Sequence, residues 1–224
     1  MIERLGRGLR ARRRAQGRGA VAVEAALVTP FVFFLLIGIL EFSFVMRDYV
    51  AVTSASRSGA RMASSSAGAG AQVCDSGETG TECSNASAPE LAKLAANAIQ
   101  TQSSALNKDS INYMLIYKAD AKGFPGSLTG WSSNPRNDCK VAGNCVVYTW
   151  VKASDKFKYS AADGSWTSST INACVSNSDS VGVYLNSTHS YITKLFGSST
   201  TISDRTIMRF EPLTAETCAS GQHS

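Results

Sequence analysis

Residues 19–46 read GAVAVEAALVTPFVFFLLIGILEFSFVM. Between Glu24 and Glu41 lie sixteen residues without a charge. Taken as one helix, residues 20–46 reach about 40 Å at roughly 1.5 Å per residue. A hydrocarbon core is about 30 Å thick. A backbone in lipid must satisfy its own hydrogen bonds, and one apolar run cannot close a barrel. The stretch therefore predicts a single transmembrane helix over residues 20–46.

Outward from this helix the two flanks differ. Residues 1–19 carry seven arginines (4, 7, 10, 12, 13, 14 and 18) against one glutamate, a net +6. The whole chain carries +5, which leaves −1 for the remainder. The basic balance belongs to the leader, so nucleic-acid binding by the body lacks its main electrostatic support. Short arginine-rich flanks stay cytoplasmic during insertion. The expected topology is single-pass, N-terminus cytoplasmic, with the C-terminal body extracytoplasmic.

All six cysteines lie beyond the helix: Cys74, Cys83, Cys139, Cys145, Cys174 and Cys218. An even number in an exported domain reads as disulfides. Six cysteines allow fifteen connectivities. Short spacing favours Cys74–Cys83 and Cys139–Cys145, leaving Cys174–Cys218. No CxxC occurs, and His189 and His223 are the only imidazoles, so neither a metal nor a cofactor is expected.

The junction at Gly19 carries a second signal. An ordinary secretory signal has a short apolar region followed by a small-x-small site. Here the apolar run is longer and ends in Glu41-Phe42. A glycine closing a basic leader, with Glu24 fifth after it, resembles the class III prepilin-type signal. That resemblance implies cleavage between Gly19 and Ala20 by a prepilin-type peptidase. The run from Gly19, followed by VTSASRSGARMAS, resembles the N-terminal signature of TadE-like proteins, pseudopilin-like components of the tight-adherence (Tad) pilus system. Met208-Arg209-Phe210-Glu211-Pro212 resembles that family's closing strand. The likeness covers residues 18–66 and, less fully, 181–212. It implies that the freed amine of Ala20 partners Glu24, in its own or a neighbouring subunit. A plainer reading leaves Glu24 among lipid headgroups at the helix end. A carboxylate at the bilayer edge is costly unless partnered. Pro30 kinks the helix or removes one hydrogen bond, and Gly38 offers close helix contact.

The chain divides into a leader (1–19), the transmembrane helix (20–46), a helical extension (47–66), a flexible cysteine-bearing loop (67–88), an exported domain (89–218) and a disordered tail (219–224). Tyr49, Val52, Ser56, Gly59 and Ala60 share one face of the extension at helical spacing. That face packs either on partner subunits or on its own domain. Ser87-Ala88-Pro89-Glu90 reads as a capping box opening a helix over 89–106. Strands are expected at 111–118, 145–152, from 181, and over 200–210. Asp163-Gly164 reads as a turn between two weak strands, 123–144 as a long loop, and 191–196 as a short apolar helix or turn. The fold class is α+β: a long N-terminal helix extending into a pilin-like domain with a second helix and an antiparallel sheet.

No catalytic constellation appears. GxSxG, HExxH and a phosphate-cradling glycine loop are all missing, so the expectation is a non-enzyme without a small-molecule substrate. Asn85-Ala86-Ser87 and Asn186-Ser187-Thr188 fit the glycosylation pattern, a common chance match. Trp131, Trp150 and Trp166 belong to a core or to an adhesive surface. Two functions follow. One is a TadE-like pseudopilin in the bacterial cytoplasmic membrane, assembling a Tad-type pilus or secretion apparatus with other pilin-like and Tad subunits. The alternative is an anchored extracytoplasmic binding or adhesion module outside any fibre.

Overall fold

The computed structural model describes residues 3–76, 78, 82–83, 86–102 and 107–221, with side chains from Gly19 onward. By compactness the chain divides within its first helix, into residues 1–45 and residues 46–224. Helix α1 (Glu3–Ser65) carries Pro30 inside it. Its helical backbone begins upstream of the expected start at residue 20.

The second unit holds the end of α1, α2 (Glu90–Gln102), α3 (Pro135–Ala142) and five strands. The strands are β1 (Ile111–Ala119), β2 (Cys145–Val151), β3 (Lys156–Tyr159), β4 (Ser180–Ser190) and β5 (Ser199–Arg209). All neighbours pair antiparallel in the order β3-β2-β1-β4-β5. This is the expected α+β class: the four main strands form, and β3 is the first of the two weak strands expected around Asp163-Gly164.

Strand alternation splits β1 between two faces. Leu115, Tyr117 and Ala119 join Cys139, Cys145, Val147 and Tyr184 in one buried cluster. Met114 and Ile116 point to the opposite face, where α1 and α2 lie. Gly182 is required by the first cluster, because a Cβ there would strike the ring of Tyr117. Burial raises the Tyr117 pKa above its ordinary value.

The extension of α1 packs on its own domain. Val52, Ala55, Ser56, Gly59, Ala60 and Ala63 are buried at helical spacing. A Cβ on Gly59 would meet the Ile99 side chain of α2 at 2.7 Å, so any larger residue requires Ile99 to shift. Ser56 donates to Asp204 and shares a 3.0 Å contact with Thr206, both on β5. Of the expected face only Tyr49 departs: it lies on the exposed side. The Met208–Pro212 stretch closes the same end. Phe210 is buried, and the Glu211 N–H donates to the Ser64 carbonyl at 3.0 Å.

Several local expectations are corrected. Residues 123–144 contain α3, capped by Asn134, whose side chain accepts the Asn137 N–H at 3.3 Å. Glu90 closes no capping box on Ser87. Its N–H donates to the Gly70 carbonyl and its carboxylate accepts the Val73 N–H at 2.6 Å. After β3, Asp163-Gly164 leads into no second strand. The Asp163 carboxylate accepts from Arg136 and Ser160. Burial pushes its pKa up, but those hydrogen bonds outweigh burial and hold the carboxyl below its usual range. Of the helix or turn expected over 191–196 the structure has the turn, which closes the β4–β5 hairpin. The tail expected to be disordered is hydrogen-bonded as far as Gly221, whose N–H donates to Ser169 at 2.7 Å. His223, Asn85 and residues 103–106 lie outside the described residues.

The two disulfides that short spacing favours and the remaining pair are all formed: Cys74–Cys83, Cys139–Cys145 and Cys174–Cys218, with Cα–Cα distances of 5.6, 5.3 and 4.7 Å. The second ties α3 to the start of β2.

Candidate functional site

The site is built on α1. From Gly19 to Leu40 its side chains face outward, with Phe31 74% exposed and Val21, Leu27, Phe33 and Leu35 similarly so. Such a run in water would be strongly unfavourable, because each large apolar side chain left exposed forgoes about 1.5–3 kcal/mol of burial. By length and composition this helix suffices to cross a membrane.

Its polar groups are handled locally. Thr29 donates its hydroxyl to the Ala25 carbonyl at 2.6 Å, and Ser43 donates to Ile39 at 2.7 Å. Pro30 has no N–H, so the Ala26 carbonyl loses its helical donor, and the Thr29 hydroxyl sits at the adjoining carbonyl. Pro30 is carried within a continuous helix. Glu24 is exposed. A Cβ on Gly19 would meet nothing within 4 Å, so packing does not demand glycine there. Gly38 lies in the same helix.

Beyond Met46, the side of α1 opposite its buried face borders an open groove of about 540 Å³. Tyr49, Thr53, Arg57 and Arg61 form its ridge, with the small Ser54 and Ser58 between them. Spacing of four residues puts the ridge on one stripe.

One pair escaped sequence reasoning. His189 donates Nδ1–H to the Asp48 carboxylate at 2.7 Å, joining the end of β4 to the first turn after the apolar run. Both side chains are largely buried, and the Tyr191 ring stands edge-on to the imidazole at 5.3 Å. All six cysteines are consumed in disulfides. Among the described residues no group of three metal-ligating side chains gathers.

The other candidates sit in packing environments. Trp166 is fully buried. Trp131 meets Tyr117, Phe124 and Tyr184 with ring centres 5.4–5.6 Å apart. Trp150 packs on Phe157 under the Lys108 ammonium. Asn186 is buried in β4 and accepts from Asn112 at 2.7 Å, which removes it as a glycan acceptor.

No curated protein and no solved structure matches the chain. Residues 19–61 match the family model of TadE-like proteins. The matched segment begins at Gly19, contains Glu24 and the exposed apolar run, and ends on the α1 face buried by Gly59 and Ala60. The Met208–Pro212 likeness falls outside it. Residues 19–61 are thus a TadE-like segment.

Proposed function

We infer that this chain is a membrane-anchored Tad-system component acting structurally, as a pseudopilin-like subunit and not as an enzyme. The observation that carries the reading is the coincidence of the TadE-like match with an outward-facing apolar helix. In this reading the leader stays in the cytoplasm and a prepilin-type peptidase cuts after Gly19. Residues 20–46 cross the bacterial cytoplasmic membrane, and the disulfide-bonded body lies outside. Glu24 then meets an Ala20 amine, since a carboxylate at the bilayer edge is best tolerated beside a cation. The ridge from Tyr49 to Arg61 supports lateral packing with other pilin-like and Tad assembly subunits, because its small serines let a neighbouring backbone approach.

The test removes the carboxylate in two ways. Glu24→Ala and Glu24→Leu should both insert, the second raising hydrophobicity. Both should lose co-purification with other pilin-like subunits. Unchanged co-purification for both would contradict the assembly role and favour an anchored binding module.

A further inference from the structure

The β4–β5 hairpin projects beyond the rest of the sheet. The last residue of β4 paired to β1 is Ser187, opposite Ile111. β4 and β5 continue together to Ser190 and Ser199, and the Tyr191 N–H then donates to the Ser198 carbonyl at 3.1 Å. Residues 192–197 form the tip beyond that bond.

The direction of this projection follows from three contacts along α1. Asp48 meets His189, which pairs with Thr200 at the start of β5. Ser56 meets Asp204 and Thr206 in its middle. The Ser64 carbonyl receives the Glu211 N–H just past its end. α1 therefore runs alongside β5 in the same sense, and within residues 46–224 the hairpin tip points back past Asp48, in the direction of Met46.

The tip has the composition of an interfacial segment. Residues 191–198 read YITKLFGS, with no carboxylate. Ile192, Leu195 and Phe196 are 69, 49 and 59% exposed. Tyr191 on the hairpin stands edge-on to His189, and Tyr49 follows Asp48 on α1. Tyrosines favour the headgroup level, where an apolar ring and a polar tip are both satisfied. Lys194 places an exposed cation there, and such a side chain reaches toward phosphates while its stem stays in apolar surroundings; Arg47 is paired with Asp48 at 3.1 Å.

We propose that the β4–β5 hairpin tip is a second membrane contact, with Ile192, Leu195 and Phe196 seated in the headgroup–acyl boundary of the leaflet from which α1 emerges. The Asp48–His189 bond fixes its height. Interfacial apolar groups enter this boundary by about 5–10 Å. This rests on the anchor reading above.

The experiment uses the full chain in phosphatidylethanolamine–phosphatidylglycerol vesicles carrying brominated acyl chains. Phe196→Trp and Val175→Trp are compared after subtracting the emission of the unsubstituted protein. Val175 is as exposed as the tip, at 76%, but lies beside Cys174 at the opposite end of β4. The inference predicts blue-shifted emission for Phe196→Trp and bromine quenching several-fold greater than for Val175→Trp. Equal quenching in protein that floats with the vesicles would overturn the hairpin contact and leave the anchor standing. Blue-shifted emission without bromine quenching would overturn it in favour of a protein neighbour, such as a second copy. Protein that fails to float would overturn the anchor and this inference together.

Discussion

Trp166→Ala is expected to cost about 3–5 kcal/mol, the range for removing a buried large aromatic. Trp166 is the largest fully buried side chain, at 0% exposure. It also orders a segment without regular secondary structure. Its N–H donates to the Ser87 carbonyl at 2.8 Å, and its indole Nε1–H donates to Thr170 at 3.1 Å. Upstream, Gly164 (φ 142°) lies so close to the Cys145 carbonyl that any Cβ would collide. The chain is thereby aimed inward at Trp166. Removing the indole leaves a cavity that a segment pinned at both ends cannot close. Urea unfolding of the detergent-solubilised full chain, followed by circular dichroism, should show a lower midpoint with an unchanged slope. Trp166→Phe should cost much less, because it keeps most of the volume. A loss below about 0.5 kcal/mol for the alanine variant, within the range of a single surface change, would contradict the packing described.

The second large effect concerns Cys174–Cys218. This bond closes a sequence separation of 44, against 6 for Cys139–Cys145. Chain-entropy arguments give about 4 kcal/mol for the longer loop and about 2 kcal/mol for the shorter. The longer bond also holds the C-terminal segment in place. The Ala173 N–H donates to the Cys218 carbonyl at 2.8 Å, and the Leu213 N–H donates to the Ala173 carbonyl at 3.0 Å. Replacing both cysteines of the 174–218 pair by alanine should therefore destabilise more than replacing both of the 139–145 pair. The same denaturation measurement ranks them, and the reverse order would contradict the prediction.

The parts legible from sequence are those fixed by one repeating requirement. The apolar run is readable because every position from Ala25 to Leu40 meets the same demand, avoidance of charge. Val52, Ser56, Gly59 and Ala60 are readable because helix geometry returns a buried face every three to four residues. The strands at 111 and 145 carry β-branched and aromatic residues in runs that suit a buried sheet.

What escaped depends on distant partners. α3 is eight residues, too short to stand alone in water. It is held by the Cys139–Cys145 bond and by Arg136 pairing with Asp163. Neither shows in the local composition of a Gly, Ser and Asn-rich stretch. Asn134 before Pro135 was the available cue. Asp48 and His189 are 141 residues apart, and nothing near either announces the other. Composition leaves residues 191–196 open between a short apolar helix and a turn, and the pairing of β4 with β5 decides for the turn of a hairpin tip. Tyr49 fits the period of its buried neighbours yet is 48% exposed, on the stripe it shares with Thr53 and Arg57.

The most direct test of the account is the intact mass of the chain extracted from its native membrane. The TadE-like segment begins at Gly19, and the prepilin-like reading places the cut between Gly19 and Ala20. The wild-type protein should have the mass of residues 20–224 with six cysteines oxidised, and Gly19→Ala should retain residues 1–19. A wild-type mass that includes residues 1–19 would contradict processing at this site.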